Sequence, residues 1–147
     1  MKKFRFPLRS VATVRALREQ RAKEVFSAAV HAYVGAEERV GEIRKRISEL
    51  EEIMRSERAQ TFRASDQVSF LQAHHRETVC EIAAVKVVVQ SKVEMERCRL
   101  AWLEARRDVR LLENLELKAR VAHRGDLERE EQSLLDDRTN ALFARAS

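Results

Sequence analysis

One apolar stripe in the first half of the chain limits its fold more than any other feature. Apolar residues there recur in alternating steps of four and three, the spacing of the a and d positions of a coiled coil. The stripe consists of Ala22, Phe26, Ala29, Tyr33, Ala36, Val40, Ile43, Ile47, Leu50 and Met54. It is narrower than the apolar face of a helix that packs on a globular core. The spacing predicts a first helix over about residues 8–58, with one face reserved for a partner helix.

A second long helix is predicted over about residues 66–144, and its apolar pattern falls into two parts. The first stripe consists of Val68, Leu71, His75, Thr78, Ile82, Val85 and Val89, and the second of Met95, Cys98, Trp102, Ala105, Val109 and Leu112. Both keep the three-four spacing, but they differ in phase by one residue. A seam that changes phase needs a wide apolar face, and segment 82–89 is apolar on nearly every side. We therefore expect the seam to slip within residues 82–95.

The connection between the two helices is predicted at about residues 59–65. The stripe fails there, and Ser65 or Asp66 could cap the start of the second helix. A chain that folds back near residue 62 pairs residues whose numbers sum to about 124.

This pairing brings large side chains opposite small ones. Val85 and Val89 would face segment 35–40, which contains Gly35 and Ala36, and Trp102 would lie near Ala22. The layers would then fill without a clash. The double match favours an antiparallel hairpin.

The predicted fold class is all-α: two long helices in an antiparallel coiled-coil hairpin, forming a single elongated unit over residues 1–147. Three glycines and one proline are too few for the turns of β-sandwiches or α/β folds. Arms of about 50 residues would give a rod of roughly 75 Å. The first helix has no partner for residues beyond about Leu117, so residues 118–147 should form a C-terminal overhang that frays when free.

Charge is unevenly distributed along the chain. Residues 1–25 carry eight basic and two acidic side chains, whereas residues 104–138 carry eight basic and ten acidic ones. The two ends should therefore attract each other when the chain doubles back. Elsewhere acids neutralise the bases, which argues against nucleic-acid binding even though Phe4, Arg5 and Phe6 open the chain with stacking and basic groups.

The sequence contains no motif of an enzyme or a metal site. It has no glycine-rich phosphate loop and no Cys-x-x-Cys, and His75 and Cys80 do not share a helix face. A bare hairpin also offers no cleft that excludes water. Cys80 and Cys98 would lie about 27 Å apart on one helix, too far for a disulfide. We expect no catalysis, no cofactor and no bound metal.

Membrane insertion is not expected either. The longest apolar stretch, Ile82–Val89, is interrupted by Lys86 and is too short to cross a bilayer. Residues 1–7 are basic but lack the apolar region of a secretory signal.

Three motifs, taken in order along the chain, resemble the flagellar export proteins of the FliJ family. They are Phe4-Arg5-Phe6 with Leu8 and Val11, then Leu100–Arg107 with Leu111–Leu115, and finally Glu128–Asp137. The resemblance spans nearly the whole chain. Asp137 stands where the family usually has glutamate, and only Phe70 and Leu71 remain of the family's aromatic patch at the start of the second helix.

The resemblance implies a cytoplasmic component of the flagellar type III export apparatus, with peripheral association at the inner membrane. Such proteins are antiparallel coiled-coil stalks similar to the shaft of a rotary ATPase. The partners implied are the hexameric export ATPase, the membrane export gate and export chaperones.

Two sets of side chains are candidates for partner binding on this resemblance. At the turn end, apolar contacts to the gate would come from Phe62, Phe70 and Leu71. At the terminal end, contacts to the ATPase ring would come from Arg106, Arg107 and Arg110, and Trp102 is a further candidate for partner binding. A structural role is the alternative for both sets, since the phenylalanines could cap the hairpin and the arginines could pair with acids of the first helix.

Two other functions are compatible with the same composition. One is the stalk of an injectisome secretion system. The other is a generic structural coiled coil that dimerises through its apolar stripe.

Overall fold

The computed structural model describes residues 2–58 and 63–147, and two long helices occupy most of these ranges. Helix α1 spans Arg9–Arg58 and helix α2 spans Ala64–Ala146. The helices pack against each other, and the described ranges contain no strand, so the predicted all-α hairpin is confirmed. The predicted turn falls mainly on residues 59–62, which lie outside the described residues.

Helix α2 begins slightly before its predicted start. The backbone amides of Asp66 and Gln67 donate to the carbonyl oxygen of Arg63 at 3.1 and 3.2 Å, so Arg63 occupies the position before the first turn. Ser65 and Asp66 therefore lie inside the helix rather than capping it. In the first turn the Asp66 carboxylate interacts favourably with the helix dipole.

Contacts divide the chain into two compact units. The terminal unit contains Met1–Gln20 and Leu103–Ser147, and the central unit contains Arg21–Trp102. Each helix contributes to both units, and each unit is described by itself below.

In the central unit, α1 presents the predicted stripe to α2. All ten predicted positions from Ala22 to Met54 are buried or half-buried. Val40, Ile43 and Ala84 form the core cluster, and Ile47 and Val88 pack against it. The α1 register is therefore confirmed.

The predicted register of α2 is wrong by one residue at its start. The side chains that meet α1 in the central unit are Phe70, His74, Glu77, Glu81, Ala84, Val88, Ser91, Met95, Cys98 and Trp102, all buried or half-buried. Of the predicted first stripe, only Thr78 is half-buried, and the other six residues are exposed. The observed stripe keeps the three-four spacing without a slip, so the predicted change of phase within residues 82–95 does not occur.

Polar residues in the seam explain this error. Glu77 accepts from Arg46 at 3.3 Å and Glu81 accepts from Arg44 at 3.1 Å. Because each carboxylate has an arginine partner on α1, an acid can occupy a position that hydrophobicity alone assigns to an apolar residue.

The predicted pairing across the seam, with residue numbers that sum to about 124, is confirmed for the described residues. The pairs Arg44–Glu81 and Arg46–Glu77 join residues that lie at nearly equal distances along the sequence from position 62, as does the contact of His74 with Glu51 at 3.2 Å.

The predicted large-to-small match is only partly right. A Cβ atom added at Gly35 or Gly41 would meet no atom within 4 Å, so the seam does not need glycine at either position. Val85 and Val89 instead line a shallow groove beside Val40 and Gly41.

In the terminal unit, α2 extends beyond the end of its pairing with the N-terminal part of the chain. The unpaired overhang starts later in the sequence than predicted. Residues 2–6 run past the start of α1 and continue the pairing, with Lys2 lying 3.6 Å from Glu130. Residues 131–147 are exposed throughout, and they are helical to Ala146. The pairing therefore ends near Glu130 instead of Leu117, and the expected fraying of the overhang remains a prediction.

The corrected register predicts opposite outcomes for the same substitution at two isoleucines. Ile43 is 1% exposed in the seam, whereas Ile82 is 56% exposed on α2. Ile43→Ala should lower the free energy of unfolding by about 2–4 kcal/mol, because it empties a packed site. Ile82→Ala should change it by less than about 0.5 kcal/mol. Denaturant unfolding followed by circular dichroism measures both, and equal losses would contradict the observed register.

The open surroundings of the helical glycines predict a gain in stability. Gly41→Ala should raise the free energy of unfolding by about 0.5–1 kcal/mol, because alanine loses less backbone entropy on forming a helix and meets no neighbour here. The same unfolding measurement applies, with Ala28→Gly, at an exposed α1 position, as the reciprocal control that should lose a similar amount. A destabilised Gly41→Ala would show that the helices approach more closely than this structure has them.

Candidate functional site

The surface offers shallow grooves between the helices rather than an enclosed cleft. One groove of the central unit is lined by Leu71 and His74 of α2 with Glu51, Met54 and Arg55 of α1. Within the described ranges, no three His, Cys, Asp or Glu side chains are placed to hold a metal ion. Across the same ranges, neither helix has a segment long and apolar enough to cross a membrane. The candidate site consists of contact surfaces on the two helices.

The N-terminal segment is held against α2 by its aromatic residues. The Phe4 ring lies 5.5 Å from the His123 ring, and the Arg120 guanidinium lies 5.2 Å from the Phe4 centroid on another side. His123 Nε2 contacts the carbonyl oxygen of Lys2 at 3.2 Å, and Phe6 is buried. The phenylalanines that open the chain thus serve intramolecular packing and are not open platforms for stacking bases.

A carboxylate of α2 joins this segment to the first turn of α1. Glu116 accepts hydrogen bonds from Arg120 of its own helix, at 3.0 Å, and from Arg9 of α1. These bonds lower the pKa of Glu116, with the bond from Arg120 as the larger cause. About two helical turns further along the hairpin, Arg15 donates to Asp108 at 3.0 Å. The predicted attraction between the basic start and the acidic later part of the chain is confirmed by these pairs.

The predicted arginines lie on α2 in the terminal unit with exposed side chains. Arg107 and Arg110 are one turn apart, next to the Asp108 that pairs with Arg15. Arg106 is also exposed, and it engages another group of the chain. The nearby acids Asp108 and Glu116 pair with Arg15 and Arg9 of α1 and not with Arg107 or Arg110.

Trp102 has a different setting from the arginines. Its ring stacks on Phe26 of α1 in the central unit, with centroids 5.7 Å apart and planes inclined by 11°. Phe26 lies one helical turn from Ala22, the predicted neighbour. This stack gives Trp102 a packing role in the seam.

The residues predicted at the turn end are only partly described. Phe62 lies outside the described residues. Phe70 is half-buried near the start of α2, and Leu71 is 52% exposed at the rim of the groove described above. Phe70 and Leu71 belong to the central unit and the three arginines to the terminal unit.

Two exposed apolar surfaces lie outside the predicted partner-binding residues. One lies on α2 of the central unit, where Val79, Ile82 and Val93 are at least half exposed. The other lies on the overhang and consists of Leu134, Leu135, Leu142 and Phe143. The wide apolar face of segment 82–89 is the sequence feature that indicates the surface on α2. The same feature also fits a slip of the seam, which is the interpretation that the structure contradicts.

The Glu116 contacts predict a pH-dependent contribution to stability. The pKa of this carboxyl is below its ordinary value of 4.5 in the folded chain, so its stabilising effect is complete above that pH and is lost as the pH falls through the lower, folded-state pKa. Glu116→Gln should lower the melting temperature at pH 7, and its difference from the wild type should shrink as the pH falls through the folded-state pKa, where the wild-type carboxyl becomes protonated.

Thermal melts across this pH range measure the effect, with Glu104→Gln at an exposed position of α2 as the control. A difference between Glu116→Gln and the wild type that does not shrink as the pH is lowered would contradict the charge-based explanation.

Comparison with known proteins identifies the chain at the level of a family. No curated protein and no solved structure gave a significant match. One family model, described as the flagellar FliJ protein, matches residues 4–147. The matched range starts at the Phe4 that packs on α2 and includes both helices and the overhang. Because this match covers essentially the whole chain, the chain belongs to the FliJ family of flagellar export components.

Proposed function

We propose that this chain is a stalk of the flagellar type III export apparatus, which couples the hexameric export ATPase to the membrane export gate and handles export chaperones. It would act in the cytoplasm and associate with the inner membrane only through the gate. Membership of the FliJ family supports the assignment of this chain to the export apparatus. Members of that family are structural export components and not known enzymes. The proposed role as a stalk rests on one observation, the seam between α1 and α2.

The seam supports a stalk because the chain supplies both of its sides. Val40 and Ile43 of α1 close on Ala84 of α2, so the stripe that a parallel coiled coil would give to a second copy is already occupied. In each unit the hairpin is therefore only two helices thick. A body of this kind can enter the centre of a protein ring, and it leaves its outer faces available for other partners.

The terminal unit is the part that we assign to the ATPase ring. Arg107 and Arg110 present two exposed guanidinium groups on successive turns of α2. Exposed ion pairs are individually weak, with a median of about 0–1 kcal/mol. Contacts of this strength let a stalk engage a ring and leave it again. Arg106 would contribute to the same surface, and Trp102 would hold α2 in position through its stack on Phe26.

The start of α2 is the part that we assign to the export gate. Leu71 is more than half exposed beside the groove formed with Met54 and His74, and it offers an apolar contact. Phe70 is half-buried in the adjoining turn and would fix the position of Leu71. Phe62 is included in this assignment on the basis of the sequence alone.

The assignment of the arginines predicts a loss of ATPase engagement on charge reversal. The purified chain should raise the rate of ATP hydrolysis by the export ATPase of the same organism. Arg107→Glu combined with Arg110→Glu should raise the concentration needed for half-maximal stimulation about tenfold, equivalent to ~1.4 kcal/mol of binding free energy. The measurement is a titration of the chain into the assembled ATPase at constant ionic strength.

A matched control makes the same change of charge in the central unit. Arg39→Glu combined with Lys45→Glu reverses two exposed basic residues of α1 and should stimulate hydrolysis like the wild type. Equal stimulation by the two double variants would remove the arginines from the mechanism. An ATPase that neither binds the wild-type chain nor responds to it would refute the proposed coupling.

A further inference from the structure

The outer face of α2 in the central unit is apolar, although the seam lies on the opposite side of the helix. At 100° per residue, Ala84 and Val88 of the seam point away from Ile82 and Val93. Val79, Ile82, Val89 and Val93 are 50%, 56%, 58% and 66% exposed. We call these four residues together with Lys86 the outer stripe. Val89 stands at the edge of this face, where it also lines the groove beside Val40 and Gly41.

The outer stripe has the spacing of a second helix-packing face. From Val79 to Val93 its members recur in steps of three, four, three and four, which is the a and d pattern of a coiled coil. A surface helix normally turns polar residues away from its partner, and a helix that is apolar on opposite faces has two partners. Helix α1 is one of them, so the stripe fits a third helix from another molecule.

The acids around the outer stripe are already paired with arginines. Glu94 and Glu96, which follow Val93, bind Arg97 and Arg99 of α2 itself. Between residues 67 and 93 the acidic residues are Glu77 and Glu81, and both are turned towards arginines of α1. Their charges therefore serve the hairpin and do not reach the opposite face.

The basic residues of the same segment remain exposed. Lys86 lies in the middle of the outer stripe, with Arg76 and Lys92 towards its two sides. A helix that covers the stripe would remove the Lys86 ammonium from much of its water, which is unfavourable unless a carboxylate takes its place. The charge on this face thus selects an acidic partner.

We propose that the outer stripe is a docking face for an acidic amphipathic helix of a partner protein. The apolar side of that helix packs between Val79, Ile82, Val89 and Val93, and a carboxylate near its centre pairs with Lys86. This inference goes beyond the function proposed above and does not depend on ATPase binding, since the stripe lies in the central unit.

The position of Lys86 also argues against a second copy of this chain as the occupant. Two copies related by a two-fold axis through the middle of the stripe would bring one Lys86 against the other. Like charges in that position oppose association.

The test uses two labelled synthetic helical peptides of about three heptads, with identical leucine faces and either glutamate or lysine at the flanking positions. Fluorescence anisotropy measures their binding to the full chain. The glutamate peptide should bind at least about tenfold more tightly than the lysine peptide, and added salt should weaken its binding. Lys86→Glu should shift the preference towards the lysine peptide.

A pair of serine variants separates the stripe from general surface apolarity. Ile82→Ser combined with Val89→Ser should weaken binding of the glutamate peptide about tenfold or more. Val34→Ser combined with Ile53→Ser changes two residues of α1 that are 43% and 42% exposed, and it should bind like the wild type. Circular dichroism melts establish that both variants are folded.

Several outcomes would overturn the proposal. Equal affinity for the two peptides, no binding of either up to about 100 μM, or wild-type affinity in the Ile82→Ser, Val89→Ser variant would each do so. Light scattering that shows a dimer lost in that variant would assign the face to a second copy. Binding of the wild type to anionic phospholipid vesicles, lost in the same variant, would assign it to a membrane surface.

Discussion

The burial of one narrow line of side chains between two helices is the interaction on which the rest of the structure depends. Ile43 is the single large side chain that is fully enclosed among the described residues, and its neighbours Val40 and Ala84 retain only slight exposure. A two-helix hairpin has little interior, so its stability is the sum of many partial burials rather than the product of one large core. Every position of the seam therefore matters, including those that carry charge.

The charged contacts divide between the two units in a way that follows the distribution of charge along the chain. In the terminal unit the arginines lie at the start of the chain and the acids on α2, as in Arg15–Asp108. In the central unit Arg44 and Arg46 of α1 bind acids of α2. Arginine suits both places because its long stem covers apolar surface while its head reaches a carboxylate at the rim.

The sequence predicts α1 well and the first part of α2 poorly, for a physical reason. The α1 stripe from Ala22 to Met54 is apolar throughout, so hydrophobic spacing alone locates the buried face. In α2 the seam accepts His74, Glu77 and Glu81, while Ile82 and its apolar neighbours lie outside it. Spacing cannot decide which of two apolar faces meets the partner, because the decision depends on arginines that lie more than thirty residues earlier in the chain.

The candidate contact surfaces show the same limit. The exposure of Arg107 and Arg110 is what a coiled-coil pattern leads one to expect, whereas Leu71 is exposed although the pattern assigns it to the seam. The packing of Phe4 on His123 is not expected from the pattern either, because it joins residues at opposite ends of the sequence and no local pattern records such a contact. The family resemblance indicates the phenylalanine motif, and the structure shows that Phe4 packs on α2.

The two carboxylates in the seam have one more consequence, for the orientation of α2 about its own axis. A helix with apolar residues on two sides has a competing arrangement, in which a roll of about 100° brings Ile82, Val85 and Val89 against α1. Hydrophobic burial alone discriminates weakly between the two arrangements. The bonds from Arg44 to Glu81 and from Arg46 to Glu77 exist in only one of them. They therefore fix the rotation of α2 about its own axis. The seam is somewhat less stable for containing these charges, but the helix has a single orientation.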